Sequence, residues 1–200
     1  MVRWFLLGAI SAVAVTAVGG MAYLRHAGGF STREQPGAVE RWMAREARAA
    51  ALPPDAKAQK NPVVSNPEVL AEARAHWADH CAGCHANNGS GEIEMGKHLY
   101  PPPPDMRLPD TQQLSDGELF YIIKNGIRLT GMPAWGDTSD DDLGSWKLVH
   151  FVRHLPQMTF EEQKQMEKLN PKSADERAEE DEVEKFLKGE QISETQHHHH

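Results

Sequence analysis

Residues 81–85 read Cys81-Ala82-Gly83-Cys84-His85, and Cys81 and Cys84 are the two cysteines of the chain. C-x-x-C-H is the attachment signature of c-type haem. The two thiols add across the haem vinyl groups as thioethers, and the adjacent imidazole becomes the proximal ligand of the iron. A porphyrin held in this way brings its own apolar surface, so the chain must fold around it. Other readings of the motif fit less well. A thioredoxin-like dithiol needs a βαβ setting, and no strand-rich pattern surrounds the pair. A zinc site needs a second Cys or His pair at ligand spacing, and His98 stands alone downstream. With both cysteines claimed by the motif, no disulfide is available.

The length of 200 residues suits one compact domain with appendages. Charge is distributed unevenly: residues 1–65 carry a net +4, residues 66–156 a net −6 and residues 157–196 a net −6, which gives the overall −8. An acidic body excludes nucleic acid as a partner, because nothing neutralises phosphates. It suits a basic partner surface and steered encounter, or simply solubility.

Trp4 to Leu24 is a run of 21 residues without charge. At ~1.5 Å per residue it matches a hydrocarbon core of roughly 30 Å. Trp4 and Tyr23 stand near its ends, where interfacial aromatics belong. A cleaved signal peptide competes with this reading, with Val15-Thr16-Ala17 as a small-residue cleavage site. The uninterrupted length and terminal aromatics favour an uncleaved anchor over residues 1–26. Both readings export the rest of the chain.

Residues 27–65 read as a tether with one short helix after Gln35-Pro36, stopped by Leu52-Pro53-Pro54 and followed by a loose linker. Arg41, Arg45 and Arg48 share a face of that helix. A basic face beside a membrane suits anionic lipid, but Glu34, Glu40 and Glu46 interleave with it, so a solvated helix is expected.

The core is expected over residues 66–156. Asn66-Pro67 is an N-cap with proline at the first helical position. Val69, Ala73, Trp77 and Cys81 follow at steps of four, so one apolar stripe leads into the haem motif. Residues 86–110 are an irregular loop with the run Pro101-Pro102-Pro103-Pro104. Ser115-Asp116-Gly117-Glu118 is a capping box that opens a second helix, ended by Gly126 or Gly131. Ser139-Asp140-Asp141-Asp142 opens a third, terminated at Pro156. The expected fold is all-α, with three or more helices and no convincing strand. Residues 157–196 form an acidic helical extension with capping boxes at Thr159 and Ser173. The second of its helices carries a thin stripe of Ala174, Ala178, Val183, Phe186 and Leu187. Residues 197–200 are a histidine run, native or a tag, and stand outside the mechanism.

An electron carrier needs two axial ligands in both oxidation states, and a thioether favours ferrous iron. Met132 is the expected sixth ligand, held in an interhelical loop between Gly131 and Pro133. Met95 is too close behind His85 to reach the opposite face, and Met158 follows the last core helix. Met106 and Met166 complete the candidate methionines. His98, His150 and His154 are the rival ligands.

The order of helix, C-x-x-C-H, long loop, helix, Gly131-Met132-Pro133 loop and C-terminal amphipathic helix resembles a class I bacterial cytochrome c over about residues 66–156. The resemblance implies a cytochrome c-like domain around one covalent haem c, with His85 and Met132 on the iron. It implies first and last core helices that cross near the haem, through Ala73 and Trp77 against Trp146, Val149 and Phe151. It implies a proline carbonyl, from among Pro101–Pro104, that holds the proximal imidazole. Tyr100, Arg107 and Trp135 are candidates for the propionates, although packing or surface roles suit them equally. The implied location is the bacterial inner membrane, with one N-terminal span (residues 4–24 in the bilayer) and the haem domain in the periplasm. The expected function is one-electron transfer between respiratory-chain partners, with no catalysis and no small-molecule substrate. The alternatives are a haem-bearing subunit of a larger membrane oxidoreductase, and a sensor or enzyme with an open sixth position. No distal His or Arg cluster is spaced to activate a bound ligand.

Overall fold

The computed structural model describes residues 2–26, 29, 31–172, 179, 182, 183, 187 and 188, and is helical with no strand among them. The Ser173 capping box, Ala174, Ala178, Phe186 and the histidine run lie outside the described residues. Val183 and Leu187 are exposed.

Helix α1 (Val2–His26) has no buried residue and is long and apolar enough to cross a membrane. Helix α2 (Ala38–Ala51) follows, then the short α3 (Pro54–Ala58). The segment expected as a loose linker instead packs on the helical core. Leu52 and Ala56 are buried. Ser115 donates its hydroxyl to the Lys57 carbonyl at 3.0 Å, and the Asn61 amide donates to the Trp146 carbonyl at 2.9 Å. The reason is a close backbone approach that sequence periodicity does not encode. A Cβ at Gly117 would lie 2.0 Å from the Ala56 carbonyl oxygen, so only glycine lets α3 sit there.

The core is built by α4 (Pro67–His76), which runs through a π-helical turn (Trp77–Cys81) into α5 (Ala82–His85), together with α8 (Asp116–Asn125) and α9 (Ser139–His154). Single turns α6 (Glu94–Lys97) and α7 (Pro109–Gln112) interrupt the intervening loop. Asn66 caps α4 by accepting the Val69 N–H at 2.8 Å. Ser115 and Glu118 close both halves of the expected capping box on α8. On α9 the cap is Thr138, one residue before the expected start, paired reciprocally with Asp141.

Helices α4 and α9 cross as expected. Ala73, Trp77, Val149, Phe151 and Val152 are all at most 2% exposed. The Trp77 and Phe151 rings lie 5.4 Å apart. Burying a side chain of this size contributes about 3 kcal/mol. Trp146 is buried in the same cluster and also stacks parallel on Phe120 of α8 at 4.0 Å, so it joins α8 to α9. A 3-10 turn (Leu155–Gln157) leads to α10 (Phe160–Glu167), whose Thr159 capping box forms as expected. This helix folds back onto the core: Met166 is fully buried, and Glu162 accepts from Arg74 at 2.8 Å and meets His154 at 2.9 Å.

Candidate functional site

The stripe Val69-Ala73-Trp77-Cys81 explains how α4 delivers the motif. Steps of four on a helix of 3.6 residues per turn drift roughly 40° each. The wide turn at Trp77–Cys81, closed by the Ala82 N–H on the Trp77 carbonyl, takes up that drift. Cys81 and Cys84 therefore stand three residues apart on one short helical stretch, both as free thiols and half-buried. Burial, reinforced by the neighbouring Cys84, pushes the Cys81 thiol up to about 12.

His85 closes the stretch. Burial lowers its imidazole to about 4, so the ring is neutral at physiological pH, the form that binds metal. Its ring stands 5.7 Å from Trp77. The Trp77 indole N–H donates to the Ala86 carbonyl at 3.0 Å. Ala86 has φ 60° and ψ 161°, a strained backbone for a residue with a Cβ, and that bond helps to pin it. The chain therefore turns sharply away directly after the imidazole. His85 Nδ1 is buried without a hydrogen-bond partner. The expected carbonyl from Pro101–Pro104 does not reach it. Pro103 directs its carbonyl at Gly91 instead, where a Cβ would approach to 2.6 Å.

Met132 sits in a closed loop at the end of α8. Gly126 ends that helix with φ 66°, a conformation that costs glycine little. The Ile127 N–H then donates back to the Met132 carbonyl at 3.1 Å. Thr130 locks the same loop: its hydroxyl donates to the Ile127 carbonyl at 2.7 Å and accepts the Met132 N–H at 3.1 Å. Gly131 rests against Leu99 of the loop after the motif. Trp135 stands 5.4 Å from the ring of His80, just before Cys81. The Met132 loop thus touches the chain on both sides of the motif, and Met132 is half-buried.

The rivals are engaged or remote. Met95 is 61% exposed, Met106 and Met158 pack at the edge of the core, and Met166 is inside it. His98 is exposed, with Nδ1 at the Glu94 carbonyl, 2.9 Å away. His150 binds the Val63 carbonyl at 2.8 Å, and His154 binds Glu162. Of the propionate candidates, Tyr100 donates to Glu40 at 2.6 Å and Arg107 is held by Asp105 at 2.6 Å. Trp135 packs on His80. Neither the strained Ala86 nor the Thr130 lock is marked by a sequence pattern. The nearest available signal for the lock was Thr130, two residues before Met132.

The donor set fits haem c. Two free thiols lie three residues apart beside a neutral, half-buried imidazole whose buried Nδ1 is unpartnered. An all-helical domain with C-x-x-C-H at the end of its first core helix is a c-type cytochrome domain, and its cofactor is covalently bound haem c. Residues 68–152 match the family described as cytochrome C oxidase, cbb3-type, subunit III, and the match runs from the first turn of α4 almost to the end of α9. The chain is a c-type haem electron carrier. No curated protein matches it.

Proposed function

We propose that this chain is a membrane-tethered monohaem cytochrome that carries single electrons between respiratory-chain partners, with the iron between His85 and Met132. Haem iron, when bound, supplies reversible one-electron exchange between its ferric and ferrous states. The protein's own groups do the rest. Cys81 and Cys84 hold the porphyrin by thioethers, and the neutral His85 ring supplies the nitrogen ligand. The Thr130 lock presents the Met132 thioether at one fixed depth. The observation that carries the reading is the contact of the Met132 loop with both flanks of the motif, through Leu99 and His80. In this role no side chain moves a proton, and the domain acts as a carrier.

Helix α1 serves as the anchor, which puts the haem domain on the periplasmic face of a bacterial inner membrane. The donor is then a membrane dehydrogenase or bc-type complex, and the acceptor a terminal oxidase or reductase. The family match favours a second reading, a haem-bearing subunit of an oxidase-type complex, because the matching description is that of a subunit.

An optical redox titration of the full chain tests carriage. We expect one reversible one-electron wave and a low-spin ferrous form whose absorption spectrum does not change under carbon monoxide. Rapid carbon monoxide binding would sink the carrier reading in favour of an open sixth position.

A further inference from the structure

The α2 helix is amphipathic, and its two sides have different fates. The side bearing the charges is tied to the haem domain. Arg45 pairs with Asp110 at 2.6 Å, Glu40 accepts from Tyr100 at 2.6 Å, and Arg48 is half-buried. Lys57 donates to the Ala49 carbonyl at 2.9 Å. The other side is left open: Val39, Trp42 and Met43 are 67%, 56% and 58% exposed. They recur at i, i+3 and i+4, so they form one stripe. The basic face expected from the sequence to meet solvent or lipid is therefore turned partly toward the domain, and the apolar face looks outward.

The position of this stripe names its occupant. Tyr23 marks the C-terminal end of α1, at the level where interfacial aromatics sit. A Cβ at Gly37 would lie 4.0 Å from the Tyr23 hydroxyl, so α2 starts beside that end. Trp42 lies five residues further, about 7.5 Å along the helix axis. We propose that Val39, Trp42 and Met43 lie in the headgroup region of the bilayer that α1 crosses. This inference rests on the anchor reading of α1. A helix with aromatic and aliphatic residues on one face and charges on the other lies in the plane of the interface. Glu46 falls on the same side one turn later, so the N-terminal half of α2 inserts and the C-terminal half stays with the domain. The short α2 then fixes the tilt of the haem domain over the membrane.

The test uses the full holo-chain in vesicles of phosphatidylethanolamine and phosphatidylglycerol. Thioether formation consumes Cys81 and Cys84, so Val39→Cys, Trp42→Cys, Met43→Cys and the control Ala44→Cys each add one free thiol for an NBD fluorophore. All four sites are exposed, and an unchanged ferrous spectrum verifies folding. Headgroup-nitroxide lipids are expected to quench the dye at positions 39, 42 and 43, while iodide does not. At position 44 the order reverses. Iodide quenching at all four sites, in vesicles that keep the chain through a carbonate wash, overturns the inference and leaves α1 as an anchor. Shielding from both quenchers means that protein covers the stripe, and it also overturns the inference. Loss of the chain in carbonate overturns both readings.

Discussion

At the scale of single residues, the chemistry of the site was legible because haem attachment has a local code. Two thiols and an imidazole must lie within five residues, and Cys81, Cys84 and His85 do. The stiffness of the Met132 loop was legible for a similar reason: glycine and proline on either side of the methionine mark it. The hydrogen bonds that stiffen it were not, because Thr130 acts through backbone partners that no side-chain pattern records. The same holds for Ala86, whose φ of 60° is imposed by the surrounding structure and not by alanine. The proline carbonyl expected on His85 depended on how an irregular loop packs, and that is set by many weak contacts. Cys84→Ser leaves a single thioether and one conjugated vinyl group, so the ferrous absorption band shifts to longer wavelength while haem stays attached through Cys81. Mass spectrometry and the ferrous spectrum check this together, and an unshifted band with haem still bound would contradict the assignment of Cys84.

Among the elements, the capped helices were readable and the segments between them were not. Asn66, Ser115 and Thr159 each cap as their side chains dictate, since an oxygen two or three residues before free N–H groups is a local event. The docking of α3 and α10 depends on distant partners. Gly117 read as part of a capping box, yet it also makes room for α3. Gly117→Ala places a Cβ 2.0 Å from the Ala56 carbonyl oxygen, and overpacking of this kind costs about 2 kcal/mol. Thermal unfolding should show the loss, and cleavage by protease near residues 54–64 should rise. Glu162 holds α10. Burial alone would raise its carboxyl, but the Thr159 N–H, His154 and Arg74 outweigh this and hold it below the ordinary value of 4.5. A depressed carboxylate contributes stability above its unfolded value and loses it as pH falls through the folded one. Glu162→Gln should therefore cost about 2 kcal/mol at neutral pH. The gap to the parent protein should close as the pH drops below 4.5. A gap that persists in acid would mean that Glu162 acts through something other than its charge, and no gap at any pH would mean that Met166 packing alone holds the helix.

At the scale of the whole molecule, the chain combines a span-length apolar helix, a short amphipathic helix beside its end and a haem domain carrying acidic charge. Composition alone conveyed this order, because a run of 21 uncharged residues and a shift from +4 to −6 are visible without any structure. What composition could not convey is which surfaces meet. The α4–α9 crossing holds the motif, α8 ends where the Met132 loop begins, and Leu99 and His80 bring that loop to the motif. In the proposed holoprotein these pieces close both faces of one iron. The most direct measurement compares the ferric and ferrous spectra of the full chain with those of Met132→Ala. The parent should be low-spin, with a thioether–iron charge-transfer band in its ferric spectrum. In the variant that band disappears, the reduction potential falls and carbon monoxide binds to the ferrous iron. Retention of the band in Met132→Ala would place another methionine on the iron and contradict the account.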